Sequence, residues 1–215
     1  MTFVIVLLGW VFSLCVHEFS HAAVAYAGGD TSVREKGYLT FNPLKYTHPV
    51  YSLLLPLIFL ALGGIGLPGG AVYIETWRLR SRRWMSAVSL AGPASNLVLA
   101  VLLGILLSVS PVSPSGVWPA LAFLAFLQVS ALVLNIIPLP PFDGFGALEP
   151  YLPQAIQAGV AQARSLIPWA VFFLLWYVPV VYQGFWSLVI ALAHLIGVPL
   201  DLVQAGLRGF QFWVR

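Results

Sequence analysis

Val16-His17-Glu18-Phe19-Ser20-His21 is the stretch that decides how this chain is read, and it sits late in an uncharged apolar run beginning at Thr2. His17 and His21 are four residues apart, so a helix stacks them on one face. That spacing presents two imidazoles to one metal ion, with Glu18 beside them to act on a bound water. The alternative is a pair of capping or hydrogen-bonded histidines with an incidental glutamate. It leaves a buried Glu in apolar surroundings with no cation to neutralise it, which is expensive. The run lacks a basic start and contains the motif itself, so it reads as a span and not as a cleavable signal peptide.

Composition sets the solvent. The chain is 60% hydrophobic and 8% charged, with a mean hydropathy of +0.93, whereas a soluble domain carries about a quarter charged residues. This is the signature of an integral membrane protein, and 215 residues suit one bundle of several spans in a lipid bilayer. The net charge of +3 is small and reads as an orientation signal, with no nucleic-acid partner implied. Cys15 is the single cysteine, which excludes an intrachain disulfide and a cysteine zinc cluster.

Hydropathy then divides the chain. Thr2 to Ala27 is long enough to span, with Gly28-Gly29-Asp30 as its stop. Gly37 to Phe41 and Ala71 to Ile74 alternate like short strands. Between them, residues 50–67 are apolar but marginal in length, and read as a segment that re-enters and leaves on one side. From Met85 to Phe142 there is no charged residue, and the Ser110 to Gly116 break splits that stretch into spans near 84–109 and 117–137. Gly146 to Ser165 reads as a short interfacial helix, and Ile167 to Leu200 as two further spans divided near Gln183-Gly184. The expected fold is an all-α polytopic membrane protein with five to six transmembrane helices, a re-entrant segment and short membrane-associated β-strands. With re-entry at 50–67, every Lys and Arg falls on one face, including Arg208 and Arg215. That face is then cytoplasmic, as is the end of the first span nearest His17 and His21.

Two histidines need a third protein ligand, and a catalytic zinc keeps a fourth position for water. The chain has seven acids. Glu35, Glu75 and Asp201 lie near charged or interfacial residues, Asp30 stops a helix, and Glu149 belongs to the interfacial segment. Asp143 stands apart: it follows Pro138-Leu139-Pro140-Pro141-Phe142 at the end of a span, on the side of the histidines. An acid there needs a cation partner, although the same residue also suits an N-cap. Asn96 and Asn135 are amides in otherwise apolar spans. Each either donates to a developing oxyanion or bridges helices. His194 reads as a packed, hydrogen-bonded residue.

Taken together, His17-Glu18-Phe19-Ser20-His21 and Asn135-Ile136-Ile137-Pro138-Leu139-Pro140-Pro141-Phe142-Asp143-Gly144 resemble the two signatures of the site-2 protease family of intramembrane zinc metalloproteases. Gly37 to Leu44 and Ala91-Gly92-Pro93-Ala94-Ser95-Asn96 look like further stretches of the same family, and the likeness runs from about residue 9 to 146. The branch it is similar to is the small bacterial one without PDZ or CBS domains. Tyr46-Thr47-His48-Pro49 and Leu67 to Val72 depart from the usual pattern, in regions tied to substrate gating. The resemblance implies one Zn2+ per chain on His17, His21 and Asp143, with Glu18 as general base. It also implies a single membrane-embedded domain over 1–215, with a core at 1–146 and additional helices at 166–206. It implies further a multi-pass protein of the cell inner membrane, cutting a single-span membrane protein such as an anti-sigma factor or a signal-peptide remnant.

A helical substrate hides its peptide bonds, so Gly70 to Ile74 is expected to offer an open edge on which an extended substrate pairs. The reading from another class is a non-proteolytic zinc-binding membrane protein or transporter. A transporter distributes polar residues over several spans, often with internal repeats; here the intramembrane acids and histidines fall in one cluster plus His194.

Overall fold

The computed structural model of the chain describes residues 1–46, 72–163 and 166–213. The apolar segment 50–67, read above as re-entrant, and His48 lie outside the described residues. Everything regular that is described is helical. α1 is Thr2–Gly28, α2 the single turn Ser32–Glu35, α3 Arg82–Val109 and α4 Trp118–Asn135. After them come α5 at Asp143–Leu148, α6 at Gln154–Ala163, α7 at Ile167–Tyr177, α8 at Pro179–Leu195 and α9 at Leu200–Phe210. This is an all-α membrane fold.

α1, α3 and α4 are long and apolar enough to cross a bilayer. α4 is apolar on every face, as a helix at the centre of a bundle is: 78% of it is buried, against 39% and 33% of the corresponding stretches of α1 and α3. Its Ala120, Ala122, Ala125 and Ala131 let neighbouring backbones approach. In lipid that close packing, more than water exclusion, holds helices together. α1 stops where Gly29 adopts φ 118° and its N–H bonds to Tyr26 O at 3.2 Å, a left-handed cap that glycine adopts without strain.

The C-terminal third departs from the expectation of two spans divided at Gln183-Gly184. α7 and α8 meet at Val178 with a bend of 86° and together make at most one span. The cause is local: Pro179 holds Val178 out of the helical region, at φ −104° and ψ 104°, and has no N–H to continue α7. α8 then packs on α4, where Trp186 stacks on Phe126 at 5.9 Å.

Losing one crossing moves the charge at the end of the chain. α9 lies against the opening of α1, with Phe210 stacked on Phe3 at 5.2 Å. Arg208 therefore sits at the end of the bundle opposite Arg78, Arg80, Arg82 and Arg83, whose segment bonds to the far end of α1 through Arg80 N and Gly28 O at 3.0 Å. The expectation that every basic residue shares one face fails at Arg208, because the bend at Val178 changes the parity of the crossings.

Neither expected strand forms among the described residues. At 37–41 the backbone makes bends, with Tyr38 N bonded to Val33 O at 2.9 Å. At 72–75 side chains take the groups a neighbouring strand would need: Lys36 Nζ donates to Tyr73 O at 3.3 Å, and Glu75 N donates to Asp30 Oδ2 at 2.7 Å. Pattern supplied the alternation, but a strand also requires a ladder partner. Lys36 and Arg78 pair with Glu75 at 2.8 and 2.5 Å. The hydrogen bond from Lys36, with Arg78 beside it, holds the Glu75 carboxyl below the usual carboxylate range. Asp30 and Glu75, read from sequence as a helix stop and a solvated acid, thus pin 72–75 to the end of α1.

The segment after α2 returns along α1. Phe41 stacks on Phe19 at 4.8 Å and on Phe12 at 6.2 Å, and Tyr46 Oη reaches Cys15 O at 3.2 Å. Cys15 lies thirteen residues before Gly28, so at 1.5 Å per residue Tyr46 reaches roughly 20 Å down the helix.

Candidate metal centre

α1 carries His17, Glu18 and His21 on its buried face, at 5%, 4% and 7% exposure. α3 crosses behind them and fixes both rings. His17 Nδ1 lies 2.6 Å from Asn96 Oδ1, and His21 Nδ1 lies 2.6 Å from Val88 O. Pro93 belongs to the same helix and has no N–H for the carbonyl four residues back. Val88 O is an acceptor only, so His21 carries its proton on Nδ1 and turns the Nε2 lone pair inward. Asn96 Oδ1 does the same for His17.

Asp143 opens α5, one position inside the cap residue Phe142, so it does not cap the helix by its side chain. Its Oδ2 lies 3.2 Å from His17 Nε2, and its Oδ1 3.5 Å from His21 Nε2; the two Nε2 atoms are 3.0 Å apart. Three lone-pair donors therefore face one another, and Asp143 Oδ2 is buried with no hydrogen-bond partner among the described residues. Such a set repels itself without a cation. Zinc bonds of about 2.0–2.2 Å at tetrahedral angles place ligand atoms about 3.3–3.6 Å apart; the 3.5 Å separation falls in that range, and those of 3.2 and 3.0 Å lie just below it.

The donors open onto a cavity of about 230 Å³ lined by Glu18, Val72, Ile74, Ser89, Asn135 and Pro141. The Val72 backbone N–H faces the Glu18 carboxylate. Asn135 is buried and lines this cavity. Asn96 is placed differently: its oxygen is held by His17, and its Nδ2 donates to Gln128 Oε1 at 2.8 Å. His194 is exposed near the end of α8 and takes no part.

Searched against known proteins, the chain is 48% identical over 214 residues to a Mycolicibacterium smegmatis protein named "Putative zinc metalloprotease Rip2", covering 98% of this chain and 81% of the relative. The protein of that name from Mycobacterium tuberculosis H37Rv is 46% identical over 215 residues, with the same coverage. A Bacillus subtilis protein named "Putative zinc metalloprotease YwhC" is 30% identical over 167 residues, 72% of each chain. This chain belongs to the site-2 protease family. No family model matches it, and no solved structure does. As a site-2 protease it is a zinc metalloendopeptidase of the membrane.

Two features of this site-2 protease escaped the sequence reading. Gly92 presses its backbone on the imidazoles: a Cβ built there overlaps Nε2 of both His17 and His21 and comes within 2.6 Å of His17 Cε1. Gln128 is fully buried behind Asn96. Gly92 lies in the Ala91–Asn96 stretch that resembles the family, where sequence alone assigns it no role. Gln128 carried the same signal as Asn96 and Asn135, an amide in an uncharged span.

Proposed function

We propose that His17, His21 and Asp143 hold the zinc ion, and that Glu18 is the general base of an endopeptidase cutting within or near a transmembrane segment. The observation that carries this reading is the convergence of two imidazole nitrogens and the Asp143 carboxylate beside the buried Glu18 in one cavity. Zinc, when bound, supplies Lewis acidity, polarising the scissile carbonyl and acidifying water near neutral pH. Glu18 accepts the proton of the attacking water and delivers it to the leaving amine. Asn135 donates its amide to the substrate backbone or to the oxygen that gains charge. Asn96 has both ends of its amide engaged, and its role is to hold His17.

The whole of 1–215 acts as one membrane-embedded domain, with the chemistry in 1–146 and the helices of 166–206 packed behind it. The protein crosses the inner membrane by α1, α3 and α4 and once more where the bent pair α7–α8 spans, any crossing by residues 50–67 being added to these. The active site faces the cytoplasm. In support, Lys36, Arg78, Arg80, Arg82 and Arg83 cluster at its end of the bundle, while Arg208 stands at the other. His21 and His17 lie seven and eleven residues before Gly28, so the cut falls roughly 10–17 Å below that end at 1.5 Å per residue.

The substrate is a single-span membrane protein, of the kind exemplified by an anti-sigma factor or a signal-peptide remnant. Co-expression with a panel of such proteins tests this. Wild type is expected to release fragments cut near the cytoplasmic end of the span. Asp143→Ala leaves two ligands, and is expected to lose zinc and cleavage together. Wild-type cleavage by Asp143→Ala rejects the ligand set.

The segment entering the cavity is the substrate clamp. Val72 and Ile74 line the cavity while Tyr73 is 57% exposed, with Lys36 Nζ 4.8 Å from its ring centre. Lys36 and Asp30 occupy Tyr73 O and Glu75 N, which leaves the Val72 and Ile74 side, facing the cavity, for pairing with an extended substrate. Val72→Pro or Tyr73→Pro disturbs the extended backbone on which the substrate would pair and is expected to abolish cleavage while zinc content stays at one per chain. Full cleavage by either variant discards the clamp.

A further inference from the structure

A chain of buried hydrogen bonds runs from His17 through three helices and back to the one it started from. His17 Nδ1 meets Asn96 Oδ1 at 2.6 Å, and Asn96 Nδ2 meets Gln128 Oε1 at 2.8 Å. Gln128 Nε2 then meets Ser13 Oγ at 2.9 Å, and Ser13 Oγ meets Trp10 O at 2.8 Å. Ser13, Asn96 and Gln128 are 3%, 3% and 0% exposed. We propose that Gln128, oriented by Ser13, is a positioning residue for the metal: it fixes which nitrogen of His17 carries the proton.

The argument follows the protons from the far end. Trp10 O is a helix carbonyl and can only accept, so the single hydroxyl proton of Ser13 goes there. Ser13 Oγ is then an acceptor toward α4, and Gln128 must offer its NH2 to it. The oxygen of Gln128 consequently faces Asn96, which must offer its own NH2 and turn its oxygen to His17. His17 is left to donate from Nδ1 and to present a bare Nε2 to the cavity. Reversing every bond keeps the chain intact but puts the His17 proton on Nε2, where no metal binds. The bond from Ser13 to Trp10 O breaks that tie, and Gln128 transmits the choice. Groups that orient a ligating histidine through its other nitrogen change metal affinity by about 10–100-fold when removed.

This proposal rests on His17 being a zinc ligand, and the test separates the two. Zinc affinity of the full-length protein in detergent is measured by competition with a chelator for wild type, His17→Ala, Gln128→Leu, Gln128→Glu and Ser13→Ala. Gln128→Leu is expected to bind zinc about 10–100-fold more weakly than wild type. Gln128→Glu still accepts from Asn96 in either protonation state, and is expected to bind at least about tenfold more tightly than Gln128→Leu. A residue that merely packs gives the opposite order, because Glu adds a buried acid where Leu adds none. Ser13→Ala, a small-for-small change, tests the same chain should the leucine variant not fold; it is expected to weaken binding severalfold. Nitrogen NMR of the zinc-free protein with labelled histidine supplies a readout independent of metal. With four histidines in the chain, the His17 signal is assigned by its absence in His17→Ala. It should report a proton on Nδ1 in wild type and a tautomer mixture in Gln128→Leu and Ser13→Ala. Wild-type affinity and an unchanged tautomer in both of those variants overturn the proposal while leaving the ligand assignment standing. Unchanged zinc binding in His17→Ala overturns both.

Discussion

Gly92→Ala is expected to strip the protein of zinc, lowering the metal content from one per chain to below about a tenth. The methyl group would occupy the face of the two imidazoles, overlapping Nε2 of each. Neither ring can withdraw without loss. His17 is tied to Asn96 and His21 to Val88, and both partners lie on the same helix as Gly92. Moving that helix away to make room pulls the anchors with it. Overpacking of this kind costs about 1–3 kcal/mol of stability, which a well-packed bundle survives, so the folded protein should remain recoverable from membranes. Metal analysis of the purified variant checks the expectation, with thermal unfolding as the control for folding. Full zinc occupancy with an intact fold would show that α3 does not press on the ligands.

Glu18→Gln is expected to keep zinc and lose cleavage, by about 10²–10⁴-fold. Glutamine matches the shape and still accepts a hydrogen bond from the Val72 N–H that faces this position. It cannot take a proton from water. Removing a carboxylate buried at 4% exposure also relieves the site of a charge, so stability should not fall. Cleavage of a co-expressed substrate and metal content are measured on the same preparations. Cleavage within tenfold of wild type would remove Glu18 from the proton transfer, and loss of zinc would make it a ligand. Paired with Gly92→Ala, this variant separates holding the metal from using it.

How far the sequence reached differs from element to element. The three long helices were legible because uncharged runs of their length have few other homes, and their described ends lie within two residues of those expected. The pairing of His17 with His21 needed only the helical repeat. Asp143 emerged by elimination among seven acids, since a carboxylate between an apolar span and a short helix has little else to balance it. The strands at 37–41 and 72–74 did not form among the described residues, because alternation says which way side chains point and nothing about what lies alongside. The break at Val178 was overlooked in favour of Gln183-Gly184, although the proline at 179 marked it. That single bend carried Arg208 to the far end of the bundle.

By itself, then, the sequence determined that this chain lives in a bilayer, that its opening helix offers two imidazoles on one face, and that few carboxylates are available to join them. Those are properties of hydropathy and of a fixed helical repeat, and both are written along one strand of residues. Only the tertiary structure decided where the lone pairs point. Val88 O and Asn96 choose the ring nitrogens, Gly92 leaves the space and Gln128 relays the choice, and all four lie on helices other than the one that carries the histidines. Their influence exists only where those helices cross it, and no local pattern in the sequence encodes a crossing.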